Sequence, residues 1–173
     1  MHEQLWAPWR LGYLLAGEPA TPDLSNVAWL PGADQSCFLC RAAGDPDRRA
    51  TLTPVVTDQA LVVLNRYPYN NGHLLVAPRR HVGELSALTA AEQAELHQLL
   101  VKMTEILRGK MKCEGFNIGL NLGRVAGAGV PGHLHWHIVP RWSGDSNFMP
   151  ALAGVRVIPQ ALETLFEMLN EDS

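Results

Sequence analysis

Short runs of apolar residues recur along the middle of the chain at the spacing of β-strands. Residues 55–57 and 60–64, with a turn at Asp58-Gln59 between them, predict a β-hairpin. Residues 73–77, which Pro78 ends, and residues 116–121 predict two further strands. A sheet of short, mostly hairpin-linked strands is therefore expected.

Two other stretches have helical spacing instead. Thr89 and Glu92 form a capping-box sequence, after which one apolar face continues at Leu96, Leu99, Leu100, Met103 and Leu107. A second amphipathic helix is expected to start at Pro159, with Leu162, Leu165, Phe166 and Leu169 on one face. The order of strands, helix, strands and helix predicts an α+β fold with a largely antiparallel sheet.

The most regular alternation of the chain runs from His133 to Val139, between Pro131 and Pro140. As a strand, this run places three histidines on one face and three apolar residues on the core face: His133, His135 and His137 against Leu134, Trp136 and Ile138. Imidazoles about 7 Å apart cannot all be charged at low cost, so at least one is expected to be neutral near pH 7. A neutral imidazole serves as a nucleophile or a metal ligand.

Composition and charge limit the classes of function. The 173 residues, 47% of them hydrophobic, fit one ordinary globular domain, and a net charge of −3 predicts no nucleic-acid partner. No membrane span or signal peptide is recognisable, and an odd cysteine count favours a reducing cytoplasm over a disulfide scaffold. We divide the chain into an N-terminal arm (1–36), a main domain (37–150) and a C-terminal helical extension (151–173).

Cys37 and Cys40 are separated by two residues, which is the spacing of half a tetrahedral zinc site. The alternatives are a redox pair and two unrelated buried thiols. A redox pair usually opens a helix, whereas Gly44 and Pro46 follow here almost at once, so zinc is favoured.

A glycine-rich stretch, residues 123–130, leads directly into the histidine run. Backbone N–H groups of such a loop can hold an anion, although a plain flexible turn has the same composition. Its position beside three histidines favours the phosphate-binding interpretation.

The run from His133 to Val139 resembles the signature of the histidine-triad (HIT) family of nucleotide hydrolases and transferases. Residues 65–81 resemble that family's second conserved block, so the resemblance covers roughly residues 37–142. Residues 5–10 and 140–150 are similar to the bacterial branch of diadenosine tetraphosphate phosphorylases or hydrolases.

The resemblance implies a HIT-like fold, a five-stranded antiparallel sheet with two main helices, usually in a homodimer. It implies that His135 attacks the α-phosphorus of a nucleotide and becomes a nucleotidyl-histidine. His137 and His73 would support the phosphate oxygens and the proton balance. Expected nucleotide contacts, Asn65 on the ribose among them, are Asn65, Asn121, Gly127, Gly129, His133 and His137.

The resemblance also implies a closed structural zinc site. Zinc-containing members use residues that correspond to Cys37, Cys40, His81 and His133. With four protein ligands, the metal would tie the N-terminal segment to the catalytic strand rather than perform chemistry.

The chain departs from the family pattern just before the triad. Many members have Gln followed by Ser or Thr, whereas this chain has Gly129-Val130-Pro131-Gly132, and no side chain there donates a proton. Backbone N–H groups of Gly127 and Gly129 can replace the phosphate contact, but the general acid is not identified.

Three functions remain open at this point. The first is the nucleotidyl-transfer enzyme, with a small-molecule nucleotide substrate and a homodimer formed partly through the 89–112 helix. The second is a metal-dependent hydrolyase or cupin-like site on the three histidines. The third is a protein that binds nucleotides without turning them over.

Overall fold

The computed structural model describes residues 23–145 and 158–170. In chain order its elements are α1 (Phe38–Gly44), β1 (Val55–Val56), β2 (Ala60–Leu64), β3 (Leu74–Pro78), α2 (Ala90–Met111), β4 (Gly115–Leu120), β5 (Trp136–Arg141) and α3 (Leu162–Asn170). Short 3₁₀ turns lie at Leu85–Ala87 and Arg124–Ala126.

The strands form one antiparallel sheet in the order β1-β2-β3-β5-β4. This confirms the predicted α+β fold with a five-stranded antiparallel sheet. β5 lies between β3 and β4, so that His137 pairs with Leu75 on one side and with Gly119 on the other. The last triad histidine is thereby fixed near the middle of the sheet.

The histidine strand starts later than predicted, at Trp136, so His133 and His135 precede it. The reason is local hydrogen bonding: the N–H of Leu134 donates to the carbonyl of Val82 at 2.7 Å, away from the β3–β5 ladder. The apolar half of the alternation persists, because Leu134, Trp136 and Ile138 contact the same core cluster.

The two faces of the sheet carry separate cores. On one face, the helices α2 and α3 cover β-strand residues such as Val62, Val76 and Ile138. On the other, α1 covers Leu61 and Leu75 and their neighbours. Directly paired residues share a face of a sheet, so His137, opposite Leu75, lies on the α1 side.

The long helix α2 begins as its sequence predicts. The Thr89 hydroxyl accepts from the N–H of Glu92 at 3.2 Å, and the Glu92 carboxylate accepts from the N–H of Thr89 at 2.8 Å. Residues 96, 99, 103 and 107 of the predicted stripe are buried, whereas Leu100 is only partly covered. The other amphipathic helix, α3, starts at Leu162, three residues after the predicted Pro159.

The sequence analysis missed α1. Cys37 occupies its N-cap, and Leu39, Ala42 and Ala43 are buried against the sheet. The argument against a redox pair assumed that no helix follows the cysteines, and that assumption was wrong. Seven residues with a single apolar turn are too short to show helical periodicity.

The predicted domain boundaries remain predictions. Residues 1–22 of the arm lie outside the described residues, and so does the junction at 150–151. Residues 23–36 form a series of turns. Within this segment Val27 is buried and Trp29 packs beside α1. No described helix is long and apolar enough to cross a membrane.

Candidate functional site

His135 lies just before β5 and is buried, with 6% of its surface exposed. Its Nδ1 is 2.8 Å from the backbone carbonyl oxygen of His133. A carbonyl only accepts hydrogen bonds, so Nδ1 must carry the hydrogen. In the neutral form of the ring, the lone pair is therefore on the other nitrogen, Nε2, which is the arrangement a nucleophilic imidazole needs.

His73 lies on the loop that precedes β3, and its Nδ1 accepts hydrogen bonds, whereas the Nδ1 of His135 donates one. His73 Nδ1 accepts from the backbone N–H of Tyr69 at 3.0 Å and lies 3.2 Å from Asn65 Nδ2. The Asn65 amide is oriented by its own Oδ1, which accepts from the N–H of Tyr67 at 2.9 Å. With donors at Nδ1, the neutral ring of His73 carries its hydrogen on Nε2.

The hydrogen on His73 Nε2 in turn determines the tautomer of His137. His73 Nε2 is 2.9 Å from His137 Nδ1, so His137 accepts there and carries its own hydrogen on Nε2. That Nε2 is buried without a hydrogen-bond partner among residues 23–145 and 158–170. Burial, and next the neighbouring His135, lower the pKa of His137. His137 is thus a neutral ring with one unpaired N–H donor.

The His137 and His135 rings lie together, with centroids 5.2 Å apart. The Tyr69 ring stacks over His137 at 5.8 Å with an interplanar angle of 16°. A lone pair on His135 and an N–H on His137 therefore belong to neighbouring rings, and the Tyr69 ring stacks on His137. This combination can attack an electrophile and donate a hydrogen bond to the oxygen that leaves.

The four predicted metal ligands converge on one point. One ligand atom from each of Cys37, Cys40, His81 and His133 lies within 4.8 Å of all the others. The Cys40 sulfur is 3.1 Å from His81 Nδ1 and 3.5 Å from His133 Nδ1, and the Cys37 sulfur is 3.4 Å from His133 Nδ1. In a tetrahedral zinc site with ordinary bond lengths, nitrogen and sulfur ligands are about 3.6 Å apart. The donor set and its spacing therefore fit zinc.

Both ring nitrogens of His133 are engaged. Nε2 donates to the carbonyl of Pro78 at 2.8 Å, which leaves the Nδ1 lone pair to the cysteine side. Burial lowers the pKa of His133 to about 4, so the ring is neutral. Of the two roles predicted for His133, metal ligand and nucleotide contact, the geometry supports the first.

The raised pKa of the Cys40 thiol is also consistent with a bound cation. Burial raises the pKa of the Cys40 thiol to about 11, so without a positive charge nearby it stays protonated. Zinc binds cysteine as the thiolate, and its charge offsets this cost of burial.

A cavity of about 530 Å³ opens beside Asn65. Phe38 and Tyr67 at its edge are 46% and 81% exposed, and Leu52 and Val63 are buried in its wall. Arg41 and Thr51 add polar groups. Asn65 lines this cavity and also contacts His73, so the cavity lies one side chain away from that histidine.

The glycine-rich loop contains a 3₁₀ turn that ends at Gly127, whose φ of +89° requires a glycine-like backbone. The Asn121 amide nitrogen lies 3.9 Å from where a Cβ on Gly127 would stand. Gly129 is exposed, and a backbone bond from His133 to Val130 of 3.2 Å closes the turn before the histidines. The phosphate-binding role of this loop stays a prediction.

Sequence reasoning missed the main-chain partners of the site. The N–H of Tyr69 and the carbonyls of His133 and Pro78 decide which nitrogen of each ring is free. No side-chain pattern reports such contacts. The exposed aromatic residues Phe38 and Tyr67 were visible in the sequence, but only the fold brings them to one cavity.

Comparisons with known proteins agree on one family. The HIT domain profile matches residues 53–144. The AP-4-A phosphorylase of Mycobacterium tuberculosis is 37% identical over 177 residues, covering 96% of this chain and 82% of that protein. The asymmetrical bis(5'-nucleosyl)-tetraphosphatase of Schizosaccharomyces pombe is 35% identical over 51% of this chain and 48% of its own length. Among solved structures, a zinc-bound histidine triad family protein from Mycobacterium smegmatis superposes with a TM-score of 0.57 at 26% identity, covering 69% of this chain and 81% of that one.

Proposed function

The chain belongs to the histidine-triad (HIT) family of nucleotide hydrolases and transferases, and we propose that it cleaves (di)nucleoside polyphosphates or related adenylyl compounds at the α-phosphate. The relative named AP-4-A phosphorylase favours a diadenosine polyphosphate as substrate. The single observation that carries the mechanism is the hydrogen bond from His135 Nδ1 to the His133 carbonyl, because it leaves Nε2 as the attacking atom.

The reaction has two displacements. His135 Nε2 forms a bond to the α-phosphorus while the bond to the leaving oxygen breaks, and that oxygen departs as a phosphate anion that accepts a hydrogen bond from His137 Nε2–H. Water or inorganic phosphate then attacks the nucleotidyl-histidine, the bond to His135 Nε2 breaks, and any proton lost by the attacking group passes to solvent. The products are a nucleoside monophosphate with water and a nucleoside diphosphate with phosphate.

His137 thereby supplies a hydrogen-bond donor for the leaving oxygen, which the side chains of the Gly129–Gly132 stretch lack. Its Nε2–H is buried and unpaired within the described residues, and a phosphoryl or leaving oxygen would satisfy it. Donors that meet charge as it develops stabilise the transition state more than the ground state.

The nucleoside is placed in the cavity beside Asn65. Phe38 offers an aromatic surface to a base, and the Asn65 side chain is positioned for ribose hydroxyls. The backbone groups of Gly127 and Gly129, with Asn121 beside them, are assigned to the remaining phosphates. His73 acts through His137 and does not itself touch the nucleotide.

Zinc is assigned to Cys37, Cys40, His81 and His133 as a structural ion. The four ligand atoms lie within 4.8 Å of one another, which supports this assignment, and four protein ligands leave no open position. Bound zinc supplies positive charge that stabilises the thiolates. The cluster fixes His133, whose carbonyl in turn orients the His135 ring.

The alternative of an open catalytic metal on the triad has little geometric support. His133 faces the cysteines, whereas His137 is bonded to His73, so their ring nitrogens do not converge on a common point. A non-catalytic nucleotide-binding protein remains a distinct outcome of the experiment below.

We also propose a homodimer in the cytoplasm. A shallow groove on the outer side of α2 is lined by apolar side chains, Leu85, Leu100 and Trp136 among them. Val101 on the same helix and Ile118 on the edge strand β4 are about half exposed. A symmetric contact would cover these groups, and light scattering of the full chain tests it. The three cysteines are free thiols, in keeping with a reducing compartment.

The test is incubation of the full chain with diadenosine tetraphosphate, adenosine phosphoramidate and ADP, with and without phosphate, followed by product analysis. Turnover is expected for wild type and for His97→Ala, a matched control because His97 is an exposed histidine on α2. His135→Ala should be inactive. Binding without turnover by wild type would favour the non-catalytic alternative.

A further inference from the structure

Asn70 joins three separate parts of the fold although it touches none of the reacting groups. Its Nδ2 donates to the carbonyl of Pro140 at 3.1 Å and to Asp145 Oδ2 at 2.8 Å. Its Oδ1 accepts from the N–H of Asn71 at 3.0 Å. All the polar atoms of this amide are thus used, and only one orientation of the group satisfies them.

The Asp145 carboxylate, which accepts from Asn70, is itself held by other groups. Arg141 Nη2 donates to Asp145 Oδ1 at 2.8 Å, Arg141 Nε donates to Oδ2, and the N–H of Trp142 donates to Oδ2 at 3.1 Å. The Asp145 side chain is 8% exposed and that of Arg141 is 43% exposed. Bidentate pairs of this kind fix the relative orientation of the two groups. The clamp of Asn70, Asp145 and Arg141 therefore anchors the 69–72 loop to the end of β5.

The anchored loop carries the donor that orders the histidine pair. The N–H of Tyr69, one residue before Asn70, donates to His73 Nδ1, and the Asn70 carbonyl accepts from the N–H of His73 at 3.3 Å. The turn is tight: Gly72 has φ +73°, and a Cβ there would approach the Met111 sulfur to 2.7 Å. A small displacement of Asn70 must therefore move the Tyr69 N–H relative to the His73 ring.

Resting on the function proposed above, we propose that Asn70, clamped by Asp145, is a positioning residue that fixes the tautomers of His73 and His137 by holding the Tyr69 N–H on His73 Nδ1. Without that donor, only the longer contact from Asn65 Nδ2, at 3.2 Å, would hold the hydrogen of His73 on Nε2, and the hydrogen would spend part of its time on Nδ1. The His137 ring would then present N–H to the leaving group for part of the time and a lone pair for the rest. The hydrogen bond to the leaving group would weaken while the nucleoside cavity stayed intact.

The test uses the full chain labelled with ¹⁵N-histidine. Long-range proton–nitrogen correlations report the hydrogen-bearing nitrogen of each ring, and His73→Gln and His137→Gln variants assign the signals. In wild type, both rings should show Nε2–H. In Asn70→Ala, both should shift toward mixed tautomers, while kcat falls about 10- to 100-fold and KM stays within about threefold, as expected for a misplaced group rather than lost binding.

Two further variants separate positioning from general stability. Asp145→Ala removes the other side of the clamp and should give the same tautomer change, which keeps the test available if Asn70→Ala does not fold. Asn117→Ala is the matched control, because Asn117 accepts from the same Arg141 at 2.8 Å without touching the 69–72 loop. It should leave tautomers and kcat as in wild type.

The outcomes are distinguishable from failure of the function itself. Unchanged tautomers and kcat in folded Asn70→Ala or Asp145→Ala would overturn the clamp while leaving the enzyme assignment standing. Altered tautomers in Asn70→Ala and Asp145→Ala, together with no nucleotide turnover by the wild-type protein, would support the clamp and remove the function. A lower melting temperature of Asn70→Ala with tautomers as in wild type would mean that Asn70 is only structural, which also contradicts the proposal.

Discussion

The histidines near the cysteines and those beside β3 are oriented by opposite kinds of main-chain group: carbonyl acceptors in the first case and an N–H donor in the second. On the metal side, the carbonyls of Pro78 and His133 take the hydrogens of His133 and His135, and lone pairs face the cysteines and the reaction space. On the β3 side, the N–H of Tyr69 occupies the lone pair of His73, and an N–H of His137 faces outward.

Chemically identical side chains thus receive different roles from main-chain atoms. A backbone acceptor leaves the ring a lone pair for a metal or for attack, whereas the backbone donor at His73, acting through that ring, leaves His137 with an N–H that can donate a hydrogen bond. Burial keeps His133 and His137 neutral, since it lowers the pKa of His133 to about 4 and also lowers that of His137. The difference teaches that the roles of a histidine cluster follow from its hydrogen-bond partners.

Removing the His135 ring, and with it the attacking Nε2 lone pair, should have the largest effect on turnover. His135→Gly is expected to lower kcat by roughly 10³-fold or more, because the covalent route is lost, while nucleotide affinity stays within about tenfold. Added imidazole should restore part of the rate by occupying the vacated space. Single-turnover kinetics with and without imidazole measure this, and near-wild-type activity in the variant would contradict the assignment.

Removing the N–H donor on the other side should have an effect that depends on the leaving group. His137→Ala removes the N–H that faces the leaving oxygen, so kcat should fall about 10²-fold for (di)nucleoside polyphosphates, whose leaving oxygen gains negative charge. For a nucleotide ester of p-nitrophenol, whose leaving group spreads its charge over the ring, the loss should be below about tenfold. Equal losses on both substrates would mean that His137 does not stabilise the leaving group.

Breaking the metal side should affect stability more than chemistry. Cys40→Ala is expected to abolish zinc binding and to lower the free energy of unfolding by about 2–4 kcal/mol, because it removes a ligand and buried contacts together. Turnover should fall by less than about tenfold, since the His133 carbonyl remains. Cys113→Ala is the control, a buried cysteine outside the cluster. Melting curves and metal analysis decide, and a Cys40→Ala protein with wild-type zinc content would refute the site.

The smallest effect concerns the residue beside the His81 ligand. Arg80 binds Glu92 through two hydrogen bonds of 3.0 and 2.9 Å, which, with the backbone of Thr89, lower the pKa of Glu92 from 4.5 to about 2. A lowered pKa means that the carboxylate stabilises the fold above about pH 4.5 and loses this contribution as the pH falls toward 2.

Glu92→Gln should therefore cost about 1–3 kcal/mol at pH 7, and the gap to wild type should narrow as the pH falls below 4.5. Urea unfolding at pH 7, 5 and 3 measures the gap. A constant difference at all three values would mean that the carboxylate charge does not contribute.

The sequence carried the fold further than the site. The capping box at Thr89 and the strand at 74–78 were readable because side-chain periodicity encodes them. The short helix behind Cys37 and the late start of β5 were not, since both depend on contacts distant in sequence, with the sheet and with Val82.

The sequence could nominate residues for the site, but not their hydrogen-bonding states. The four zinc ligands that include Cys37 and Cys40 were predicted from the family resemblance. The roles proposed for His137 as donor and His135 as nucleophile depend on the Tyr69 N–H and the His133 carbonyl, and main-chain atoms are the same at every position of a sequence. The hydrogen-bond donor could therefore be proposed only once the backbone was placed.

The most direct test of this account is to trap the intermediate. Wild-type protein is quenched in alkali during turnover of a nucleotide labelled at the α-phosphate, and the peptide that holds residues 133–137 is analysed by mass spectrometry and ³¹P resonance. The account predicts an alkali-stable, acid-labile nucleotidyl group on Nε2 of His135. Turnover without any adduct, or an adduct on His137 or on Nδ1 of His135, would contradict it.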